Sequence, residues 1–222
     1  MAGFPGRART SGLGRGPAVR GRRCGSAGPV TCNPAPVQET AADLAELQGL
    51  LDRSIGAAGT HLRSIVEPDT HTLTAVQVVE VLTGMATLAL ATVTAAGEPR
   101  VSGVDGHLLR GRFVFTTTES AVKTRHLRRR PAVSAAHLVG DDLGVFVHGH
   151  VEFLDVDAPG ESWVEDHLAG HYGSSPRTWA PDVVYLRIEP TWMVAYAPDP
   201  AALLGARTPR HPHHAVTPPA RE

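Results

Sequence analysis

Lysine is almost missing from this sequence: Lys123 is the only one, against 20 arginines. That bias, with abundant Ala, Gly and Pro, looks like the product of a GC-rich genome. Aromatic residues make up only 5% of the chain. Cysteine is limited to Cys24 and Cys32, at neither a metal nor a redox spacing, so no disulfide framework is implied. No apolar run approaches the roughly 20 residues that a membrane span needs. Net charge is also lacking, at −1, which removes any global electrostatic case for nucleic acid or an anionic membrane. The N-terminus is positive but has no apolar stretch behind it, so no secretory signal is read and the cytoplasm is the expected location. A Walker-type glycine loop, a nucleophile elbow and an H-E-x-x-H motif are all missing.

What is present is enough for one packed domain. Hydrophobic residues are 42% and charged residues 19% of 222. Residues 1–38 are rich in Gly, Pro, Arg and Ser, have no hydrophobic period and read as a disordered basic tail. All six of their charges are arginines, and Glu39 is the first acidic residue. Residues 198–222 read as a second disordered tail, where His211, His213 and His214 are a solvated cluster. Between the tails, 39–72 reads as a helical leader and 73–197 as the main domain.

In the leader, Leu44, Leu47, Leu50 and Leu51 share one helical face, before a break at Gly56 and Gly59. A second helix is predicted over 75–82, stopped by Gly84. The period then changes to two. Residues 86–94 (ATLALATVT) are small or apolar on both faces, as expected of a strand covered on both sides. Gly97 marks a hairpin turn, and 100–104 returns as a strand. Residues 112–117 and 132–138 are further strands, separated by a helix over 120–130 that Pro131 closes. The clearest strand is 143–153, with Val145, Val147, Gly149, Val151 and Phe153 on one face and Phe146, His148, His150 and Glu152 on the other. A helix over 160–171 precedes final strands at 183–188 and 192–195. Short strands joined by hairpins, with helices at the margins, predict a mainly β (α+β) fold: a six-stranded antiparallel barrel with flanking helices.

The stretch FVFTTTESAVKTRHLRRRP, residues 113–131, carries the chemistry. A strand runs into Thr116, Thr117 and Thr118, and a helix follows at once. Thr116 and Glu119 have capping-box spacing, and Thr118 is an alternative N-cap. A helix N-terminus offers unpaired N–H groups and a positive dipole end, which together favour an anion. Ser120 and Lys123 share a face inside that terminus, and His126 continues it. Hydroxyls, amides and an ammonium in one small volume suit a phosphate monoester. Hydroxyl caps and a solvated lysine explain the same spacing without a ligand. Arg128, Arg129 and Arg130 sit at the helix C-terminus, where cations complement the dipole.

Taken in order, ATLALATVTAAGEPRVSGV, GRFVFTTTESAVKTRHLRRRPAVSAAHL and GVFVHGHVEFLDVD resemble the pyridoxamine 5′-phosphate oxidase-like family of flavin-binding split barrels, from about Ala75 to Ala197. The most specific parts are the Gly97-Glu98-Pro99 turn, the Ser120-x-x-Lys123 to Arg128-Arg129-x-Pro131 block and the Val147-x-Gly149-x-x-Glu152 strand. Residues 43–65 resemble the leader of an actinobacterial-type branch. The resemblance implies an obligate homodimer with FMN, or the deazaflavin F420, in a groove between two barrels. It implies that Thr116, Thr117, Ser120 and Lys123 meet the cofactor phosphate, and that Ser102, Gly103 and Val104 pass the flavin ring. His126 stands where relatives often carry Asn. Gly103 replaces a common Pro, and Asp105-Gly106-His107 replaces the aromatics that often follow.

The function so implied is a flavin- or F420-dependent oxidoreductase passing hydride to or from a small organic substrate. The alternative is a non-catalytic flavin or haem carrier on the same barrel, with haem as a third cofactor. No general acid or base is assigned, because the cofactor carries the hydride chemistry. His148, His150 and Glu152 step by roughly 6.5–7 Å along one strand face and would need a further ligand to hold a metal; an ordinary polar face accounts for them. His167 and His171, at i, i+4, lack the rest of a metal motif. Trp163, Trp179 and Trp192 are read as packing residues.

Overall fold

The structure, a computed structural model, describes residues 39–205. Cys24, Cys32, His211, His213 and His214 therefore lie outside the described residues. Six antiparallel strands are β1 (Met85–Val93), β2 (Pro99–Leu109), β3 (Arg112–Thr118), β4 (Ala132–Val139), β5 (Leu143–Leu154) and β6 (Val183–Tyr196). They close into a barrel in the order β1-β2-β3-β6-β5-β4. Helices α1 (Ala41–Gly56), α2 (Thr60–Val66) and α3 (Ala75–Val81) precede the barrel. Helix α4 (Val122–Arg129) links β3 to β4; α5 (Ser162–Tyr172) and α6 (Pro176–Trp179) link β5 to β6; α7 (Pro200–Gly205) follows. The expected six-stranded antiparallel barrel with flanking helices is the observed fold.

The strands form where apolar residues alternate. In β1, Ala86, Leu88, Leu90 and Thr92 are buried, while Met85, Thr87 and Ala89 point outward and are exposed. Within this chain the strand is thus covered on one face only, not on both as its composition suggested. In β5 the alternation is the predicted one, with Val145, Val147, Gly149 and Val151 inward. The two expected strands at 183–188 and 192–195 are a single strand, β6. Pro190 does not interrupt it, because it pairs with Gly149 at a register shift between His148 and Gly149. Gly149 is required there: a Cβ would fall 2.1 Å from the Glu189 carbonyl oxygen.

The leader is pinned to the barrel by both packing and hydrogen bonds. A Thr40–Asp43 capping box starts α1, which buries Leu47, Leu50 and Leu51. The buried Ser54 hydroxyl donates to the Leu50 carbonyl and accepts the Met193 N–H of β6 at 2.9 Å. Helix α2 follows the glycine break and α7 lies inside 198–222; neither was expected.

Two apolar clusters result. The larger fills the barrel and runs under α1 and α3, with Leu88, Phe113, Phe115, Leu127, Leu186 and Ile188 at its centre. The smaller lies outside the barrel wall, where Val164 and Leu168 of α5 pack on Leu109, Val114 and Tyr185.

Candidate functional site

Strands β2 and β3 pair only near their hairpin, from Gly106–Phe115 to Leu109–Arg112. Beyond it β2 continues to pair with β1, through Val104–Leu88, Gly103–Ala89 and Ser102–Leu90. Strand β3 continues to pair with β6, through Thr116–Tyr185, Thr117–Val184 and Thr118–Val183. Among the described residues, the barrel is therefore unzipped between Ser102–Val104 on one side and Thr116–Thr118 on the other. The two segments singled out from the sequence flank this split.

Helix α4 crosses the barrel mouth beside the split. Leu127 plugs the core, and the buried Thr124 hydroxyl donates to the Thr118 carbonyl at 2.7 Å. The helix begins at Val122 rather than Ser120. Its N-cap is Ala121, and no side chain caps it. The anticipated capping boxes do not form because Thr116, Thr117 and Thr118 stay in the β3 ladder against β6. Glu119 instead clamps Arg128 through two hydrogen bonds of 2.7 and 2.5 Å, which hold its carboxyl below the usual range. The Arg128 guanidinium also lies 4.1 Å over the Phe153 ring.

Lys123 and Thr117 come together. The Lys123 ammonium donates to the Thr117 hydroxyl at 3.5 Å, and it makes no ion pair among the described residues. Thr116 is on the opposite side of β3 by strand alternation. Ser120 belongs to a different group. Its hydroxyl donates to the Asp182 carboxylate at 3.0 Å and lies 3.2 Å from the Thr118 hydroxyl, and its N–H points to the same carboxylate at 3.4 Å. His126 turns to β1, with Nδ1 3.1 Å from the buried Thr92 hydroxyl. On β2, Val104 points into the core, Ser102 is half-buried on the same side and Gly103 is exposed on the outer face. Contact with a planar ring at Val104 is left to backbone atoms. A Cβ on Gly103 would meet nothing within 4 Å.

This donor set fits a phosphate monoester on the Lys123–Thr117 side: an ammonium with no carboxylate partner among the described residues, a hydroxyl, and a helix start without a side-chain cap. On the Ser120 side a carboxylate already sits where an anion's oxygens would go.

The other clusters resolve structurally. His148 hydrogen-bonds Ser134 at 2.8 Å and stacks on Trp192, while Glu152 pairs with Arg187. Arg187 is a hub that also holds Glu161 and Glu189. Burial opposes ionisation of Glu189, but bonds from Arg112 and Arg187 outweigh it and lower its pKa. Among the described residues no group of three or more His, Cys, Asp or Glu is arranged to hold a metal, and no helix is long and apolar enough to cross a membrane. The sequence reading missed Asp182, which lies 62 residues from Ser120 with no local signal. It also missed His107, which is buried beneath α5.

A six-stranded closed barrel with an unzipped seam between β2 and β3, and with a helix carrying the chain across its mouth, defines a split-barrel domain. The family model described as pyridoxamine 5′-phosphate oxidase matches residues 75–196, more than half of the chain. The chain belongs to that family. A conserved hypothetical protein from Mycobacterium tuberculosis superposes with a TM-score of 0.50 at 20% identity, over 68% of this chain and 96% of that one. A FAD-binding protein from Mesorhizobium loti gives 0.46 at 22% identity, over 56% and 93%. A haem-storage protein from Vibrio cholerae gives 0.44 at 18%, over 50% and 86%. The first of these likenesses concerns the fold. No curated protein matches the sequence.

Proposed function

We propose that the chain binds the phosphate tail of FMN or F420 at Lys123 and Thr117, and that it works as an oxidoreductase on a small organic substrate. The observation that carries this reading is the chain's single lysine, whose ammonium is held against a Thr117 hydroxyl beside the split and has no ionic partner among the described residues. Family membership supplies the flavin-type expectation. A bound flavin or deazaflavin supplies reversible hydride chemistry; the protein supplies position and exclusion of water. Lys123 neutralises phosphate charge, Thr117 donates a hydrogen bond, and the exposed outer face of β2 at Gly103 gives a planar ring a close approach to backbone.

A homodimer is part of the proposal. The outward faces of β1 and β2 present Ala89 and Gly103 side by side, with Val101 at 71% exposure next to Gly103, and with the exposed Thr87–Asp105 pair between them and Met85 at 45%. Small side chains beside an exposed valine make a flat patch suited to a second copy, with Asp105 at its rim. Sedimentation velocity should return twice the monomer mass, and Val101→Glu should shift the protein to monomer.

Titration of the protein with FMN, F420 and haem side by side tests the cofactor. Tight binding of a phosphorylated flavin or deazaflavin, followed by turnover with an acceptor, supports the enzyme. Binding without turnover supports the carrier, and a Soret band with no flavin binding replaces this reading by a haem protein.

A further inference from the structure

His107 lies on the outer face of β2 and is 1% exposed, covered by α5. Its Nε2 is 2.9 Å from the Tyr172 hydroxyl, and its Nδ1 has no partner among the described residues. Three rings of α5 surround it edge-on: His171 with centroids at 4.7 Å, Tyr172 at 5.6 Å and His167 at 5.7 Å. Imidazole thus packs against imidazole where protonation would place positive charges together and bury one N–H with no acceptor.

We infer that α5 is a proton-released flap, docked on the barrel wall near neutral pH and freed in mild acid. Two separate observations carry this: the imidazole cluster at the helix–strand contact, and the separation of the apolar cluster under α5 from the barrel interior. The flap opens by giving up Val164 and Leu168, while Phe113, Leu186 and Ile188 stay packed inside. Opening uncovers Leu109, Val114 and Tyr185, an apolar strip beside the strand that runs on to Gly103.

The charges facing the cluster do not cancel the effect. From β2, Asp105 acts on Tyr172, whose pKa is raised by burial and then by that carboxylate. Across the sheet the register partners of His107 are Met85 on β1 and Val114 on β3, both uncharged. On α5 the Glu165 carboxylate is held by Ser175 and Tyr185. From α6, Trp179 meets Tyr172 edge-on. Burial, then His171 and His167, push the His107 pKa down to about 3, and burial followed by His171 lowers that of His167. The sign follows. A histidine depressed in the docked state favours docking fully above its free value of 6.5. That preference is lost progressively as pH falls below 6.5 toward 3.

Hydrogen exchange of the full chain at pH 7.5 and 5.0, corrected for intrinsic rates, tests this. Amides of α5 should lose protection tenfold or more relative to β1, β5 and β6, and His107→Leu should cut the difference at least severalfold, leaving only the smaller share carried by His167. Loss shared equally with the strands, or a response undiminished in H107L, overturns the flap. A second variant guards against misfolding of H107L. His167→Gln with His171→Gln removes the facing charges, so acid release should move to lower pH; an unchanged midpoint overturns the proposal.

Discussion

The Ser120 hydroxyl donates to the Asp182 carboxylate at 3.0 Å, so the serine closest to the anticipated phosphate site is held by an anion of the chain itself. Asp182 precedes β6, and its carbonyl also accepts the Glu119 N–H at 2.8 Å. The carboxylate therefore competes with any ligand for Ser120 and lowers the local potential for anions. Asp182→Asn should strengthen FMN or F420 binding severalfold, about 0.5–1 kcal/mol for an exposed charge. Fluorescence titration of both proteins checks this, and weaker binding in the variant would remove Ser120 from the phosphate contact.

Lys123→Ala should weaken binding of the same cofactors by about 1.5–3 kcal/mol, the range for a hydrogen bond to a charged group. Thr117→Val should cost less, about 0.5–1.5 kcal/mol. Calorimetric titration gives both numbers, and the thermal midpoint of each variant should stay near that of the parent. Equal affinity in Lys123→Ala would place the phosphate elsewhere.

Gly149→Ala should destabilise the barrel, with no cofactor involved. The added methyl meets a carbonyl oxygen of the backbone rather than a yielding side chain. The expected cost is about 1–3 kcal/mol, the usual range for overpacking. Urea unfolding followed by circular dichroism measures it. Gly160→Ala, where the Cβ also meets nothing within 4 Å, is the control and should change stability little.

Glu189, with its lowered pKa, contributes stability above its ordinary carboxylate range, and that contribution fades as pH falls through its folded value. Arg187→Met removes three carboxylate contacts at once and should cost about 1–3 kcal/mol at neutral pH, and less once the pH has fallen below the lowered pKa of Glu189. A loss independent of pH would assign the effect to packing instead.

The barrel was legible in the sequence because alternation is local. Strands β1 and β5 show their period of two within their own residues, and Gly97 announces its own turn with φ +81. Helix α4 was misread at its start for the opposite reason. Thr116, Thr117 and Thr118 look like caps by spacing, but they stay extended because β6, more than sixty residues later, pairs with them. The strands expected at 183–188 and 192–195 are one strand because a register shift, with Thr191 as the extra residue beside Pro190, keeps the ladder going. Of the anticipated phosphate residues, only Lys123 and Thr117 meet each other. Ser120 and His126 found partners in Asp182 and Thr92, distant in sequence and marked by no motif. His107 read only as part of the Asp-Gly-His run that stands in place of the family's common aromatics, because only the docking of α5 shuts it away from water.

The unzipped seam leaves a length of β2 with hydrogen-bonding groups on one side unsatisfied by any neighbouring strand. Such an edge recruits foreign chains, and sequences commonly guard it with proline and charge. Here Pro99 opens the strand, Arg100 is locked to Glu98 at 2.7 Å, and Asp105 stands exposed near the hairpin end. Replacing Pro99, Arg100 and Asp105 by β-branched residues would turn a tolerated gap into a sticky template for amyloid-like growth, visible as thioflavin-positive aggregates from otherwise folded protein.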